Sequence, residues 1–116
     1  MVRLLLTVVL LLALPLSAKE KHPERWYQEK YCTGIIEYVL PDRTRIDCLT
    51  ERYAIEFDFG PNWAECIGQA QFYARAKGRL AGCVLINPKP RFLKRLLSGF
   101  DGAVWVVGDA DMERFK

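Results

Sequence analysis

The chain has 116 residues, is 51% hydrophobic, and carries a formal net charge of +3 with four cysteines and one histidine. That length bounds it to one domain with a modest core, and so small a charge gives no argument of its own for a polyanion partner. The single histidine, His22, and the absence of a CxxC or Cys/His spacing exclude an ordinary zinc site.

In chain order, residues 1–18 read as a secretory signal peptide. Arg3 is a short basic lead, residues 4–16 an apolar run, and Leu16-Ser17-Ala18 a cleavage site. The run of thirteen residues falls short of the roughly 20 needed to span a bilayer. The expected mature chain is a single domain over 19–116, periplasmic or secreted, with no membrane attachment after cleavage. Its charge falls from +3 to +2 once Arg3 is removed. Cysteines in an exported domain predict disulfides.

Residues 23–30 (PERWYQEK) predict a short first helix with Trp26 and Tyr27 as its apolar contacts. Gly34 frees the chain for a β-branched strand at 35–39, and Pro41-Asp42 supplies a turn. In the stretch that follows, Ile46 and Cys48 alternate with Arg45 and Asp47, and Ile55, Phe57 and Phe59 alternate with Glu56 and Asp58. A period of two predicts strands at 45–49 and 54–59 joined by a short hairpin turn. Gly60-Pro61 ends the third strand. Asn62 with Glu65 three residues on reads as a capping box, and Gly78 as the closing residue of a helix over 64–77. GCVLI at 82–86 and AVWVV at 103–107 read as strands buried on both faces, with a helix at 90–97 between them. The end of the chain, 109–116, reads as an exposed tail or a last helical turn.

The fold class is therefore α/β (α+β): a three-stranded antiparallel meander followed by αβαβ, in one mixed sheet with helices on both faces. Pairing about the hairpin turn sets Asp47 opposite Glu56 and Arg45 opposite Asp58. Opposed carboxylates destabilise a bare hairpin. A hard divalent cation, which takes oxygen ligands, removes that cost. Residues 89–95 (KPRFLKR) carry four basic side chains and no acid. They read first as a solvated helix face, with Lys89 and Arg91 as candidate phosphate contacts.

With the order of elements and the Asp47/Glu56 pair in hand, the chain resembles the PD-(D/E)xK nuclease superfamily, the restriction-endonuclease-like fold. Asp47 matches the acid of the second strand, Glu56 the acid of the third, and Glu37 the additional acid many members carry. Gln69 and Tyr73, at i and i+4 on one helix, resemble the Gln-x-x-x-Tyr motif of RecB-like and lambda-exonuclease-like members. The resemblance covers roughly 35–107. It implies Mg²⁺ or Mn²⁺ held by Asp47, Glu56 and Glu37, with Gln69 and Tyr73 orienting ligands, and hydrolysis of a nucleic acid met by Arg45, Lys89 and Arg91. The superfamily's lysine, two residues after Glu56, is replaced here by Asp58. The alternative is thus a catalytically inactive nuclease-fold protein of the periplasm that binds an unidentified protein partner.

Strand direction assigns the cysteines. Cys32 and Cys48 fall together at the lower end of the first hairpin, within the reach a disulfide requires, and Cys83 opens a buried strand at that same end but two or more strands away. Cys66, in the first turn of the helix, is placed about 17 Å away, at the upper end of the sheet. Cys32–Cys48 is the expected bridge, and Cys66 and Cys83 are expected to remain thiols.

Overall fold

The computed structural model describes residues 22–116, so the expected signal segment lies outside the described residues. The described part runs α1 (Glu24–Tyr31), β1 (Ile35–Val39), β2 (Arg45–Leu49), β3 (Tyr53–Phe59), a 3₁₀ turn (Gly60–Asn62), α2 (Trp63–Lys77), β4 (Leu80–Ile86), α3 (Pro90–Gly99), β5 (Ala103–Val107) and β6 (Met112–Arg114). It is an α+β domain. One six-stranded mixed sheet takes the strands in sequence order, β1-β2-β3-β4-β5-β6. β1, β2 and β3 form the antiparallel meander, β3, β4 and β5 are parallel, and β6 returns antiparallel to β5.

Parity along the strands assigns the two faces. Ile55, Phe57, Val84, Ile86 and Val107 pack with Tyr27 of α1 on one side. Cys83, Leu85 and Val104 pack with Cys66 and Ala70 of α2 and Leu96 of α3 on the other. A third cluster, Leu40, Ile46, Leu49, Ala54, Tyr73 and Ala74, seats the second half of α2 on the meander. Each large side chain so buried contributes about 1.5–3 kcal/mol, and two sheet faces with three helices supply the core.

Gly78 closes α2 in the left-handed conformation at φ 63°, as expected of the C-terminal glycine. The capping box does not form. Asn62 makes no side-chain cap bond, because it is itself the last residue of the 3₁₀ turn that carries the chain into the helix, with Pro61 in that turn. β4 begins two residues earlier than the apolar run suggests, at Leu80, since the ladder to β3 starts at Tyr53↔Leu80. The tail is exposed, as expected, but extended rather than helical. Met112–Arg114 forms β6, anchored where the Tyr27 hydroxyl donates to Asp109 at 2.7 Å and Lys30 donates to the Asp109 carbonyl at 2.8 Å.

Both cysteine pairs are bridged. Cys32–Cys48 is present as expected, with Cα atoms 5.8 Å apart. Cys66–Cys83 is also a disulfide, with Cα atoms 6.0 Å apart, so the expectation of two free thiols is wrong. The reason is the position of Cys83, which is not at the lower end of its strand. β4 starts at Leu80, which puts Cys83 in the middle of the sheet opposite Glu56, and the first turn of α2 packs directly over that point.

Candidate functional site

The β2–β3 ladder holds only near the hairpin turn, at Leu49↔Ala54 and Cys48↔Ile55. Beyond it side chains replace the ladder. The Asp47 N–H donates to Glu56 Oε2 at 2.9 Å, and the Phe57 N–H donates to Asp47 Oδ2 at 2.8 Å. Each carboxylate of the expected pair thus occupies the gap between the strands and is fixed by the other strand's backbone. Two main-chain donors that would otherwise lack partners are satisfied in this way.

The same gap interrupts β1–β2. That ladder pairs Ile36↔Cys48 and Tyr38↔Ile46 and omits the residues between, Glu37 and Asp47. Glu37 has φ 54°, in the left-handed region that a glutamate seldom occupies. The register therefore lines up Glu37, Asp47 and Glu56 across three adjacent strands. Both disulfides bound this row: Cys48 follows Asp47, Cys83 pairs with Glu56, and Cys66 Sγ lies 3.4 Å from the Glu56 carbonyl oxygen.

Further acids reach the row from both faces. Glu24, from the first turn of α1, acts electrostatically on Glu56 and Asp58, and Glu65, from the first turn of α2, acts on Glu24 and Asp58. Asp58 is 8% exposed, and its Oδ2 has no hydrogen-bond partner. Burial, followed by the charges of Glu24, Asp47 and Glu65, pushes Asp58 up to about 8. Burial and the charges of Asp47, Glu37 and Glu65 push Glu24 up to about 7. Asp47 and Glu56 titrate together, and both stand above the usual carboxylate range, chiefly because they are buried. Glu56 is the more buried, at 2% exposed.

The expected residues divide on placement. Tyr73 is buried against the meander, and its hydroxyl is pushed up by burial and by the charges of Glu56 and Asp47, within electrostatic reach of the row. Gln69 is exposed, one turn along α2 on the Glu65 side, with no hydrogen bond among the described residues. Arg45 does not meet Asp58. Its guanidinium stands 3.5 Å from Glu37 on the opposite side, because β2 and β3 have already separated where the two would have paired. Lys89 and Arg91 are exposed at the start of α3, at the same end of the sheet as Asp58. A Cβ on Gly60 would lie 2.9 Å from the Pro88 Cα, so the start of α3 sits against the end of β3 only because residue 60 is glycine.

Glu24 and Glu65 lie within electrostatic range of these acids, a proximity that periodicity does not reveal. Their positions depend on how α1 and α2 dock, which no local spacing encodes. Among the described residues, no three Asp, Glu, His or Cys side chains converge as a ready-made metal-ligand set. Comparison with family models, with curated proteins and with solved structures gives no match.

Proposed function

We propose that the gap between β2 and β3 is a divalent-cation site and that the domain is an exported, nuclease-like phosphodiesterase acting on nucleic acid. The observation that carries this reading is the row Glu37, Asp47 and Glu56, crowded by Asp58 whose Oδ2 is buried without a partner. Hard oxygen donors of one sign, held together against their mutual repulsion, suit Mg²⁺ or Mn²⁺. The element order supports a restriction-endonuclease-like arrangement, and the two disulfides fit an oxidising compartment.

In this reading Asp47 and Glu56 are the principal ligands, already oriented by the Phe57 and Asp47 amides. Glu37 or Asp58 turns toward them to complete the set. A bound cation supplies an activated water and neutralises charge developing on a phosphate. Tyr73 closes the floor behind the pair, and Lys89 and Arg91 are placed to meet the phosphates of a strand entering from the α3 side. The lack of a lysine two residues after Glu56, together with an exposed Gln69, favours a second reading, in which the domain binds its partner through this cleft without cleaving it.

One experiment tests both. The disulfide-bonded protein is incubated with labelled single- and double-stranded DNA and RNA and Mg²⁺ or Mn²⁺, beside Asp47→Asn and Glu56→Gln. Metal-dependent cleavage lost in both variants supports the first reading. Metal-dependent stabilisation without cleavage selects the second. Neither effect would sink both.

A further inference from the structure

The face of the sheet opposite α2 and α3 carries a second feature unrelated to the carboxylates. The guanidinium of Arg52 lies 5.6 Å from the centre of the Tyr53 ring, and Tyr53 meets Trp105 edge-on at 5.4 Å. The guanidinium of Arg114 lies 5.0 Å from the Trp105 ring. Arg52, Tyr53, Trp105 and Arg114 thus form a continuous row of cation, ring, ring and cation. β3, β5 and β6, with the turn before β3, supply the side chains. β4 supplies the space, since a Cβ on Gly82 would come within 2.9 Å of the indole. The glycine lets Trp105 lean across β4 toward Tyr53.

Cavities flank the row. Just past the end of α1, Tyr31, Ile55, Phe57, Val84, Trp105 and Met112 wall an apolar hole of about 170 Å³. On the other side Tyr53, Leu80, Phe100 and Arg114 line an open cleft of about 400 Å³, with Asp101 its only carboxylate side chain. Tyr53 and Trp105 are half-buried, and each belongs to one of these walls. Among the described residues the ion pairs are Arg25–Glu29 and Arg45–Glu37, so no Asp or Glu side chain pairs with either arginine of the row, although Arg114 Nε donates to the Lys116 main-chain oxygen.

Half-buried rings with a guanidinium against each, and no Asp or Glu side chain on either arginine, are what a single strand of nucleic acid requires: aromatic and guanidinium surfaces for successive bases and cations for its backbone. A duplex offers its bases only by their edges, and a purely anionic polymer has nothing to place against the rings. We propose that this face of the sheet binds single-stranded nucleic acid, with bases against Tyr53 and Trp105 and phosphates against Arg52 and Arg114, independently of the carboxylate row.

Fluorescence anisotropy of a labelled oligothymidylate, titrated with the protein in EDTA, tests the site without any metal. Binding is expected, weakened at least tenfold in Arg52→Glu/Arg114→Glu and in Trp105→Leu, each verified as folded by circular dichroism. Lys94→Glu/Arg95→Glu changes net charge by the same amount on α3 and is expected to bind as the wild type does. The milder Arg52→Gln/Arg114→Gln pair covers the case in which charge reversal prevents folding, and should lower the dependence of affinity on salt. Equal loss in the α3 variant, or equal competition by polyphosphate, would reduce the effect to charge alone and overturn the site. Loss of binding in Asp47→Asn would move it to the carboxylate gap, overturning this proposal while leaving the cation reading intact.

Discussion

Replacing Asp58 by asparagine should make the protein more stable, by an amount that grows as pH rises from about 4 to about 8. The carboxyl is raised from 3.8 to about 8, first by burial and then by Glu24, Asp47 and Glu65. A carboxyl that titrates higher folded than unfolded takes up protons on folding. Its contribution is therefore full below the unfolded value, near 4, and is lost as pH rises through 8. Near pH 7.5 the gap of about 3.7 units corresponds to about 5 kcal/mol at 1.36 kcal/mol per unit. Solvent screening, and protonation of the neighbouring acids in place of Asp58, reduce this to about 2–3 kcal/mol.

The Asp58→Asn substitution keeps the shape of the side chain and removes its charge. Thermal melts followed by circular dichroism, at about pH 4.5 and about pH 7.5, should therefore diverge. The variant gains about 10–20 °C over wild type at the higher pH, at 4–8 °C per kcal/mol for a domain of this size, and little at the lower. A gain of equal size at both pH values would mean that charge is not the cause. A loss at the higher pH would refute the crowding of carboxylates on which the site is built.

Three other outcomes follow from the same geometry. Saturating Mn²⁺ should raise the melting temperature of the wild type, by about 2.7 kcal/mol of stabilisation at a hundredfold excess over Kd, and Asp47→Asn should abolish the rise. Glu37→Asn should be more stable than Glu37→Ala in urea titrations by about 1 kcal/mol, because asparagine tolerates the left-handed backbone at φ 54° and alanine does not. Non-reducing peptide mapping should recover Cys32–Cys48 and Cys66–Cys83 alone, and Cys66→Ala/Cys83→Ala should cost about 3 kcal/mol for the 17-residue separation it frees.

Local patterns made much of the fold legible. Alternation at 45–49 and in the third strand fixed which side chains share a face, and the expected Asp47–Glu56 register continues the observed Cys48↔Ile55 pairing. Gly78 ended α2 because only a left-handed residue closes a helix that way. Features set by tertiary docking were not legible. β6 (MER) is exposed throughout and has no apolar alternation to announce it; it exists because the turn after β5 is tied to Tyr27 and Lys30 of α1. Arg45 and Asp58 would oppose one another only if β2 and β3 stayed paired, and the ladder opens before that point. Glu24 and Glu65 belong to helices whose placement over the gap depends on the packing of Tyr27 and Cys66.

The Cys66–Cys83 bridge also shows how so small a domain can hold a row of like charges. Separating strands at Glu37, Asp47 and Glu56 gives up backbone ladder bonds, and the left-handed Glu37 adds roughly 1–3 kcal/mol of local strain. Ionising buried acids beside one another costs more still. The disulfides are attached where that cost falls: one at Cys48, next to Asp47, the other at Cys83, opposite Glu56. Each limits the unfolded chain by about 3 kcal/mol for loops of 16 and 17 residues, a contribution of the same order as the strain beside it. A core bridged only at Cys32–Cys48 would leave the Glu56 side of the gap held by the β3–β4 ladder and apolar packing, without a covalent tie to α2. Reduction should therefore loosen the row before it unfolds the β4–β5 pair, whose ladder from Gly82↔Ala103 to Ile86↔Val107 is unbroken. Hydrogen exchange would register this as early loss of protection at the Asp47 and Phe57 amides, the two that the carboxylates hold. Protection at those amides that outlasts β4 in the reduced protein would contradict the bracing role.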